Sequence, residues 1–523
     1  MKISVLDCTL RDGGYINNWL FRKKNILSIV RHLDEANVDF IECGYLNYSF
    51  QFNSDSTIFP TIESINYITS SSTNSKMVAM VNFGEYPLLE IPDNNNFGLC
   101  GIRVAFHQND WFAAIEYCRG IQSKGYKVFV QPMITNNYSD RELLELINAV
   151  NELKPFAFYI VDSFGVMKET DLIRISLLID NNLHPIIKLG YHAHNNLQLA
   201  FSNAQTFTKL NLRREKIIDS SVYGMGRGAG NLNTELYTQF LNDNFIERYK
   251  IKPLLEIIDE SLLAIYQSKY WGYSLPHFIS AKHNCHPNYA TYLVSKNSLT
   301  IDDIENIISK IDQVYKNSFN KEYAEKQYIS YQLKNINNSK SINRLFDELK
   351  ESQVLIIGPG KNINDVKKIL SYIRKFKPIT ISVNFEHDEI KSNFVFVSNI
   401  KRYEALKNKK ENLIVTSNIN NDTRYVVDYN QLLYDENDLN DNALLMLLKL
   451  LNLASVKDIT LAGFDGYDLD LTENYFNLDF IVPMSHDKVK SLNKKMKGAI
   501  QNIAQGIPIS FLTESKYEQN NQS

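Results

Sequence analysis

The sequence predicts an α/β protein that begins with a (β/α)8 TIM barrel and ends with a smaller open α/β sheet. Two observations about the chain support this fold class. Eight short apolar runs alternate with helix-length segments up to about residue 235, and a second alternation of strand and helix patterns begins at Glu351. In addition, 523 residues are more than one hydrophobic core usually serves, so at least two domains are expected.

The eight apolar runs of the first part have the length of strands, and the segments between them have the length of helices. The predicted strands are Ile3–Asp7, Val38–Cys43, Met77–Asn82, Gly101–Phe106, Lys127–Pro132, Ala157–Asp162, Ile186–His194 and Ile217–Tyr223. Predicted helices between them include Leu20–Asn37, Trp111–Gly125, Arg141–Leu153 and Leu197–Lys209. An open doubly wound sheet would not need eight consecutive units, and this favours the barrel.

The composition excludes several classes of function. A formal net charge of -3, with 44% hydrophobic and 22% charged residues, is typical of a soluble globular protein and disfavours a nucleic-acid partner. No apolar run approaches the length of a membrane span, and a strand pattern begins at Ile3 without a signal peptide, so we expect a cytoplasmic protein. The five scattered cysteines argue against a disulfide framework and a zinc knuckle.

The pair His192 and His194 ends the seventh predicted strand. Because strand side chains alternate between faces, both imidazoles would point to the same side and could reach one metal ion. Asp12 follows the first strand and could face them across the barrel mouth, which would add a carboxylate. Oxygen and nitrogen ligands without thiolate suit Mn²⁺ or Mg²⁺, and we expect Mn²⁺. The alternative is a pair of hydrogen-bonded histidines without an ion.

Further polar residues fall at the carboxyl ends of the predicted strands, where this fold builds its active sites. Arg11 could hold a carboxylate or stabilise an enolate oxygen. It could instead form only an ion pair with Glu42 or Asp162. We predict that Glu42, Gln131 and Asp162 bind the substrate.

A glycine-rich loop, residues 221–231, follows the eighth predicted strand. A loop of this kind at this place commonly holds a phosphate or carboxylate on backbone N–H groups, so Gly226 and Gly228 are predicted to bind the substrate. The loop lacks the spacing and the position of a dinucleotide site. Asn231 could ligate the metal ion, or it could only cap the helix that follows.

Three motifs resemble those of the DRE-TIM metallolyase superfamily, and within it most closely the 4-hydroxy-2-oxovalerate aldolases. The motifs are Thr9-Leu10-Arg11-Asp12-Gly13-Gly14, Gly190-Tyr191-His192-Ala193-His194-Asn195 and Gly226-Arg227-Gly228-Ala229-Gly230-Asn231. The resemblance covers residues 1 to 300 and implies a divalent ion bound by the aspartate and both histidines, with Asn231 as a further ligand. It also implies that Arg11 stabilises a pyruvate-like enolate.

The chain departs from that family at one position. The pyruvate aldolases usually carry a histidine as the acid–base group shortly after the Arg-Asp pair, where this chain has Tyr15. A phenol has a pKa near 10 and is a poorer base at neutral pH unless a metal ion or Arg11 lowers that pKa. Tyr15 is therefore the catalytic candidate at this position, but the proton could also move through another group.

The chemistry of the predicted site favours a metal-dependent aldolase or lyase. Breaking or making a carbon–carbon bond next to a carbonyl requires a stabilised enolate, through either a lysine Schiff base or a metal ion. Lys127 and Lys188 lie toward the amino ends of their strands, away from the predicted site. We expect a 2-oxo acid, pyruvate, and an aldehyde as substrates. The alternatives are an acyl-CoA lyase or synthase, and a metal hydrolase with Glu42 or Asp162 as the base.

Helical patterns follow the barrel from Lys252 to Lys334, interrupted by the aromatic stretch Tyr270–Phe278. This stretch and the residues after it could close over the barrel mouth, with His286 and Tyr289 as additional catalytic candidates. They could equally pack between helical layers, because aromatic clusters usually bury area.

The last part of the chain is predicted to be Rossmann-like. A strand at Val354–Ile357, the turn Gly358-Pro359-Gly360 and a helix at Asn364–Lys375 form an anion-binding arrangement. A weak resemblance to Rossmann-like domains of glycan-modifying proteins and archaeal pterin diphosphokinases implies a nucleotide or sugar-phosphate ligand, and a transferase as an alternative function. The other interpretation is a docking or homo-oligomerisation domain.

The remaining predictions concern the other strands of the Rossmann-like domain and the domain boundaries. Further strands are predicted at Ile379–Asn384, Phe394–Ser398, Leu413–Ser417 and Asp458–Gly463. The predicted domains are the barrel at 1–250, a helical extension at 251–345 with a polar linker at 335–340, the Rossmann-like domain at 346–516 and a frayed tail at 517–523.

Overall fold

The computed structural model describes residues 2–69, 74–94, 98–334, 339–406, 408, 412–420, 422–436, 438–470, 473–476 and 486–518. The chain divides into two compact units. The barrel unit consists of Met1–Thr291 and Asp312–Phe319, and the sheet unit consists of Tyr292–Ile311 and Asn320–Ser523. Most of the predicted linker, at 335–338, and residues 519–523 of the predicted tail lie outside the described residues, whereas Tyr517 is buried.

Eight parallel strands close into a barrel, as the sequence predicted. They are β1 (Ile3–Asp7), β2 (Phe40–Leu46), β3 (Lys76–Asn82), β4 (Leu99–Phe106), β5 (Lys127–Pro132), β6 (Ala157–Asp162), β7 (Lys188–Ala193) and β8 (Lys216–Ser220). Each strand pairs with its neighbour in chain order, and β1 pairs with both β2 and β8, which closes the barrel. A two-residue strand, Ile58–Phe59, extends the sheet beside β2.

The helices of the barrel unit follow the strands. They are Thr9–Asp12, Gly14–Asn17, Lys23–Glu35, Asn66–Thr69, Trp111–Ser123, Asp140–Leu153, Glu169–Asn182, Ala200–Lys209, Thr234–Asn244, Ile251–Ile257, Leu263–Ser268, Leu275–Lys282 and Gln313–Lys316. The helix Asp140–Leu153 illustrates the local cause, since Ser139 and Glu142 form a capping box at its start. The helix Pro287–Ser295 spans the point at which the chain passes from one unit to the other.

Apolar side chains fill the barrel from the inside as well as from the outside. The outer core lies between strands and helices, and a second cluster that includes Leu6, Phe40, Val78, Phe129 and Tyr159 is buried among the strands themselves. Strands buried on both faces explain why the sequence shows continuous apolar runs here rather than alternation. Because the interior is packed, the polar residues that end the strands collect at one rim of the barrel.

The sheet unit contains seven parallel strands in one open sheet. They are β9 (Gln353–Ile357), β10 (Ile379–Val383), β11 (Phe394–Val397), β12 (Leu413–Thr416), β13 (Tyr425–Val427), β14 (Asp458–Ala462) and β15 (Ile509–Phe511). Their order is β13-β12-β11-β10-β9-β14-β15, so the winding reverses between β9 and β14, as in doubly wound folds. The predicted open α/β sheet is confirmed, with β13 and β15 as additions that the sequence analysis did not predict.

The sheet unit also contains eight helices within its described residues. They are Ile301–Ser309, Lys321–Gln332, Ser339–Leu349, Val366–Phe376, Ile400–Leu406, Tyr429–Leu432, Ala443–Leu453 and His486–Ala504. Across the described part of both units, no helix has the length and apolar character needed to cross a membrane.

Candidate active site

A cavity of about 80 Å³ lies at the carboxyl ends of the barrel strands. Its polar lining includes Arg11, Asp12, His192 and His194, which the sequence analysis placed at this rim. The two histidines point to the same side of β7 because Ala193 between them points to the other side. The structure therefore brings these residues together from the helix that follows β1 and from the carboxyl end of β7.

The ligand atoms of these residues are close enough to bind one ion. One atom each of Asp12, His192 and His194 lies within 4.8 Å of the other two. Asp12 Oδ2 is 3.8 Å from His192 Nε2 and 3.4 Å from His194 Nε2. The site consists of one carboxylate oxygen and two imidazole nitrogens, a set that suits a divalent cation.

The other nitrogen of each imidazole is fixed by a neighbouring group. His192 Nδ1 is 3.0 Å from Asp219 Oδ2, and His194 Nδ1 is 3.2 Å from the backbone oxygen of Asp162. These contacts direct both Nε2 atoms toward Asp12, as the outer partners of metal-bound histidines do. His194 Nε2 is buried and makes no hydrogen bond with the described residues, which is the state expected of an atom that would bind an ion.

Asn231 adds a further donor beside the carboxylate. Its Nδ2 donates to Asp12 Oδ2 at 2.5 Å, while its buried Oδ1 has no hydrogen-bond partner among the residues that the structure describes. Since the two ends of an asparagine amide can exchange places, the oxygen could equally face the ion. A Cβ atom at Gly226 would lie 2.4 Å from Asn231 Nδ2, so the glycine leaves the space that Asn231 occupies.

The protonation states of this cluster also fit a divalent ion. Burial opposes ionisation of Asp12, but Arg11 and the two histidines hold the pKa of its carboxyl well below the ordinary value. Burial lowers the pKa of His192 although Asp219 opposes this, so the imidazole is neutral and can bind a metal. Burial raises the pKa of the nearby Cys8 thiol, which therefore stays protonated and is a poor ligand.

A chain of buried charges connects the two sides of the site. Arg11 Nη1 is 2.9 Å from Asp12 Oδ1, and Arg11 Nε is 2.8 Å from Glu42 Oε2. Arg103 Nη1 lies 2.9 Å from the same oxygen of Glu42, and Arg103 Nη2 donates to Asp219, the partner of His192. Two guanidinium groups face three carboxylates, so one negative charge is left for a cation to offset.

Arg103 and Asp219 belong to this chain of charges but were missed by the sequence analysis. Both are fully buried, Arg103 within the mostly apolar strand β4 and Asp219 near the end of β8. A charged residue within a buried strand usually needs a partner of opposite charge. This signal was present in the sequence, although it does not say which residues pair.

Of the residues predicted to bind substrate, the three with polar side chains lie in different surroundings. Gln131 lines the cavity. Glu42 is fully buried and is occupied by the two arginines. The Asp162 carboxylate accepts the backbone N–H groups of Val166 at 2.9 Å and Met167 at 3.0 Å, and burial raises its pKa to about 6. These contacts indicate that Glu42 and Asp162 position other groups.

The three other catalytic candidates, Tyr15, His286 and Tyr289, also differ in their surroundings. Tyr15 lines the cavity, and burial raises the pKa of its phenol, which is therefore protonated at neutral pH. His286 stacks on Phe319, its Nδ1 accepts the N–H of Asn288, and burial lowers its pKa to about 3. The buried Tyr289 donates its hydroxyl to a backbone oxygen at 3.2 Å. The contacts of His286 and Tyr289 are those of packing residues.

The remaining lining of the cavity is mostly apolar. It includes Tyr45, Met80, Ala105, Met133 and Val161, which the sequence analysis did not single out. No lysine is found among the described residues that line it. Lysines instead lie near the amino ends of the strands, where Lys188 Nζ pairs with Glu215 at 2.5 Å. A lysine Schiff base therefore has no candidate in this cavity.

The glycine-rich loop contributes one further side chain to the cavity, that of Arg227. The loop folds back on itself, because the N–H of Asn231 bonds to Gly224 O at 3.0 Å and the N–H of Gly230 bonds to Arg227 O at 3.1 Å. Gly228 has a φ of +68°, and a Cβ atom there would lie 2.9 Å from Asn196 Oδ1. The fold of the loop thus depends on glycine at this position.

Comparison with known proteins agrees with this site. Residues 108–253 match the HMGL-like family. The second part of the barrel is therefore similar to this family. The matched residues extend from just after β4 into the helix Ile251–Ile257, and they include both histidines and the glycine-rich loop.

Relatives of this chain carry the name 4-hydroxy-2-oxovalerate aldolase. The protein from Geobacillus genomosp. 3 is 27% identical over 269 residues, which is 50% of this chain and 78% of the relative. The protein from Pseudoalteromonas translucida is 26% identical over 267 residues, 49% of this chain and 75% of the relative.

Solved structures similar to the chain include the N-terminal domain of a protein described as an aldolase from Bacteroides vulgatus. It is 26% identical, with a TM-score of 0.48, and the match covers 56% of this chain and 96% of that chain. The HMG-CoA lyase of Brucella melitensis is 13% identical, with a TM-score of 0.40, and the match covers 51% of this chain and 98% of that one.

Proposed function

We propose that this chain is a divalent-metal-dependent aldolase that makes or breaks the carbon–carbon bond between a 2-oxo acid enolate and an aldehyde. The observation that carries the proposal is the cluster of Asp12, His192 and His194, with Arg11 beside it, at the carboxyl rim of a barrel whose second part is similar to the HMGL-like family. The names of the relatives support an aldolase, and pyruvate is the 2-oxo acid we propose.

The residues that would bind the ion are Asp12, His192, His194 and Asn231. Carboxylate, amide and imidazole donors without a thiolate suit Mn²⁺, with Mg²⁺ as the second choice. A divalent ion at this place supplies Lewis-acid stabilisation of the negative charge that develops on a keto oxygen.

Arg11 is positioned to stabilise an enolate. Its Nε and Nη1 are held by Glu42 and Asp12, and Nη2 makes no hydrogen bond with any of the described residues. Because the guanidinium is buried and its orientation is fixed, it can offer this remaining nitrogen to developing charge without reorganising. In this proposal Glu42, and through it Arg103, act by holding Arg11 in place.

Tyr15 would act as an acid toward the aldehyde oxygen rather than as a base that abstracts a proton. Its phenol is protonated at neutral pH, so it can donate a hydrogen bond to the aldehyde oxygen and pass it a proton as that oxygen becomes a hydroxyl. The apolar lining formed by Tyr45, Met80 and Met133 limits water around the reactive carbon. Whether the protein condenses or cleaves depends on metabolite levels, since an aldol reaction is reversible.

The experiment that tests the proposal is an aldehyde scan. The intact chain is incubated with pyruvate, Mn²⁺ and a panel of aldehydes, and 4-hydroxy-2-oxo acids are detected by mass spectrometry. We expect at least one product, lost in chelator and in Arg11→Gln. The turnover of CoA thioesters without any aldol product would contradict the proposal and favour an acyl-CoA lyase or synthase.

Three further expectations from the sequence stay predictions. They are the cytoplasmic location, the homo-oligomer and the nucleotide or sugar-phosphate ligand of the sheet unit. The same holds for the domain boundaries at 250, 345 and 516.

A further inference from the structure

Arg227 is a cation in the cavity without a counter-ion. It is half-buried and forms no ion pair and no side-chain hydrogen bond with any of the described residues. The other arginine of the cavity, Arg11, is bonded to Asp12 and Glu42. Since desolvating an unpaired guanidinium costs free energy, its place in the lining indicates an anionic group that arrives with a ligand.

The backbone around Arg227 also offers hydrogen-bond donors that an anion could accept. Within the described part of the chain, the N–H groups of Gly226, Arg227 and Gly228 make no hydrogen bond, whereas those of the next residues do. The N–H of Ala229 bonds to Asn196 Oδ1 at 2.9 Å, and that of Gly230 bonds back to Arg227 O at 3.1 Å. Successive unpaired N–H groups beside a guanidinium form an anion-binding arrangement.

The charged groups near Arg227 do not neutralise its positive charge. Burial lowers the pKa of His286, and the positive charges of Arg227 and His107 lower it further. The carboxylate of Glu85, which acts on Tyr15, already accepts the amides of Asn47 at 3.0 Å and Asn82 at 2.9 Å. Glu85 is therefore engaged by two side-chain amides and forms no ion pair with Arg227 among the described residues.

We propose that Arg227 and the N–H groups of residues 226–228 bind an anionic group, a phosphate or a carboxylate, carried by the aldehyde substrate. This inference rests on the proposed function, because the aldehyde is the substrate of that reaction. Arg11 and the metal-binding residues already provide for the 2-oxo acid, whereas Arg227 belongs to another loop and lies over the ring of Tyr15, 5.6 Å from its centroid. The anion takes no part in bond making and serves only to hold the aldehyde.

The test compares pairs of aldehydes that differ in charge. Glyceraldehyde 3-phosphate against glyceraldehyde tests phosphate, and succinic semialdehyde against butyraldehyde tests carboxylate, at fixed pyruvate and Mn²⁺. The measured quantity is the ratio of kcat/KM for the charged and the neutral aldehyde of a pair, in which effects on enolate formation cancel. If the guanidinium of Arg227 donates two hydrogen bonds to an anionic group, kcat/KM should be about 10 to 100 times higher for the charged aldehyde than for the neutral one in one of the pairs.

Substitution of the cation should remove this preference. In Arg227→Gln we expect the ratio to fall to about 1 to 3. In Arg227→Lys we expect an intermediate value, because lysine keeps the charge but lacks the two parallel N–H donors of a guanidinium. Arg141, an exposed arginine on an outer helix, provides a matched control, and Arg141→Gln should leave the ratio unchanged. A wild-type ratio near 1 in both pairs, or an unchanged ratio in Arg227→Gln, would overturn the inference. A raised KM for pyruvate with an unchanged ratio would assign Arg227 to the 2-oxo acid instead.

A binding measurement separates this inference from the proposed function. If the wild-type chain does not exchange the methyl protons of pyruvate, the proposed function fails. Calorimetric titration with glycerol 3-phosphate and with 4-hydroxybutyrate then still tests the anion site. Binding of either compound that weakens about 10-fold in Arg227→Gln supports the site, and equal binding to both proteins, or no binding to the wild type, refutes it.

Discussion

Two glycine-rich segments follow parallel strands in this molecule, and they differ in what their backbone N–H groups bind. In the barrel, the N–H groups of residues 226–228 have no partner in the described part of the chain, and Arg227 lies beside them. In the sheet unit, the N–H of Gly358 bonds to Ala462 O at 2.8 Å, and that of Gly360 bonds to Gly463 O at 2.7 Å. The N–H groups of the second turn are therefore hydrogen-bonded to the neighbouring segment of the protein.

The anion position of the sheet unit is also occupied by the chain itself. Asp465 Oδ2 accepts the N–H of Asn362 at 2.7 Å, at the start of the segment where a phosphate would be expected. A Cβ atom at Gly358 or Gly360 would lie 2.6 Å from Gly463 O, so these glycines allow two loops to approach each other. The N–H groups of Gly358 and Gly360 are therefore engaged by the neighbouring strand and loop of the protein.

A cavity of about 250 Å³ nevertheless borders this turn. Several of its asparagines have structural tasks. Asn384 accepts the N–H of Ser398, Asn399 accepts those of Lys401 and Arg402, and Asn442 caps the helix Ala443–Leu453. The cavity is larger than that of the barrel, and these three asparagines are engaged within the protein.

The largest difference between the two regions is expected in catalysis. Asp12→Asn keeps the shape of the residue but removes the charge that faces both histidines, so the metal-dependent exchange of the pyruvate methyl protons should fall by about 10³-fold or more. Asp465→Asn makes the same change at the turn of the sheet unit and should leave this rate unchanged. Exchange within tenfold of wild type in Asp12→Asn, measured by NMR in deuterated water, would show that the barrel site is misassigned.

A second effect should appear in metal affinity. Asp219→Asn weakens the group that orients His192 and should lower the affinity for Mn²⁺ by about 10- to 100-fold in a calorimetric titration. Asp180 is a matched control, since it is also a buried aspartate bonded to an arginine, Arg214, at 2.6 Å. We expect wild-type affinity in Asp180→Asn, and equal losses in both variants would mean that general stability, not orientation, is responsible.

The smallest effect concerns the stability of the sheet unit. Gly463 has a φ of +71°, and a Cβ atom there would lie 2.4 Å from Gly358 O, so Gly463→Ala should destabilise this unit by about 2 kcal/mol. Gly498, in the helix His486–Ala504, has open space around it, and Gly498→Ala should be neutral or stabilising by up to about 1 kcal/mol. Hydrogen exchange of peptides from β9 and β14 measures both. Protection of these peptides unchanged in Gly463→Ala would contradict the close packing of the two loops.

The sequence was sufficient to predict the barrel and the proximity of Asp12, His192 and His194 at its rim. Three strands, Ile3–Asp7, Lys127–Pro132 and Ala157–Asp162, have the predicted bounds, because strands buried on both faces give continuous apolar runs with clear ends. The common orientation of His192 and His194 followed from the alternation of strand side chains. Both predictions depend on local patterns.

What the sequence could not provide depends on residues that are far apart in the chain. Arg103 and Asp219 come from strands that are not neighbours in the barrel, and no periodicity predicts that they meet. Asp465 is remote in sequence from the turn that it occupies. Strands β13 and β15 have three residues each and are too short for a period to be recognised.

The central claim is that Asp12, His192 and His194 bind a divalent ion that this chain needs to form an enolate. The most direct test measures the exchange of pyruvate methyl protons by NMR with the intact wild-type chain, first with Mn²⁺, then with excess chelator, then after Mn²⁺ is restored. We predict exchange that stops in chelator and returns with the ion. Exchange that continues at the same rate in chelator would contradict the account.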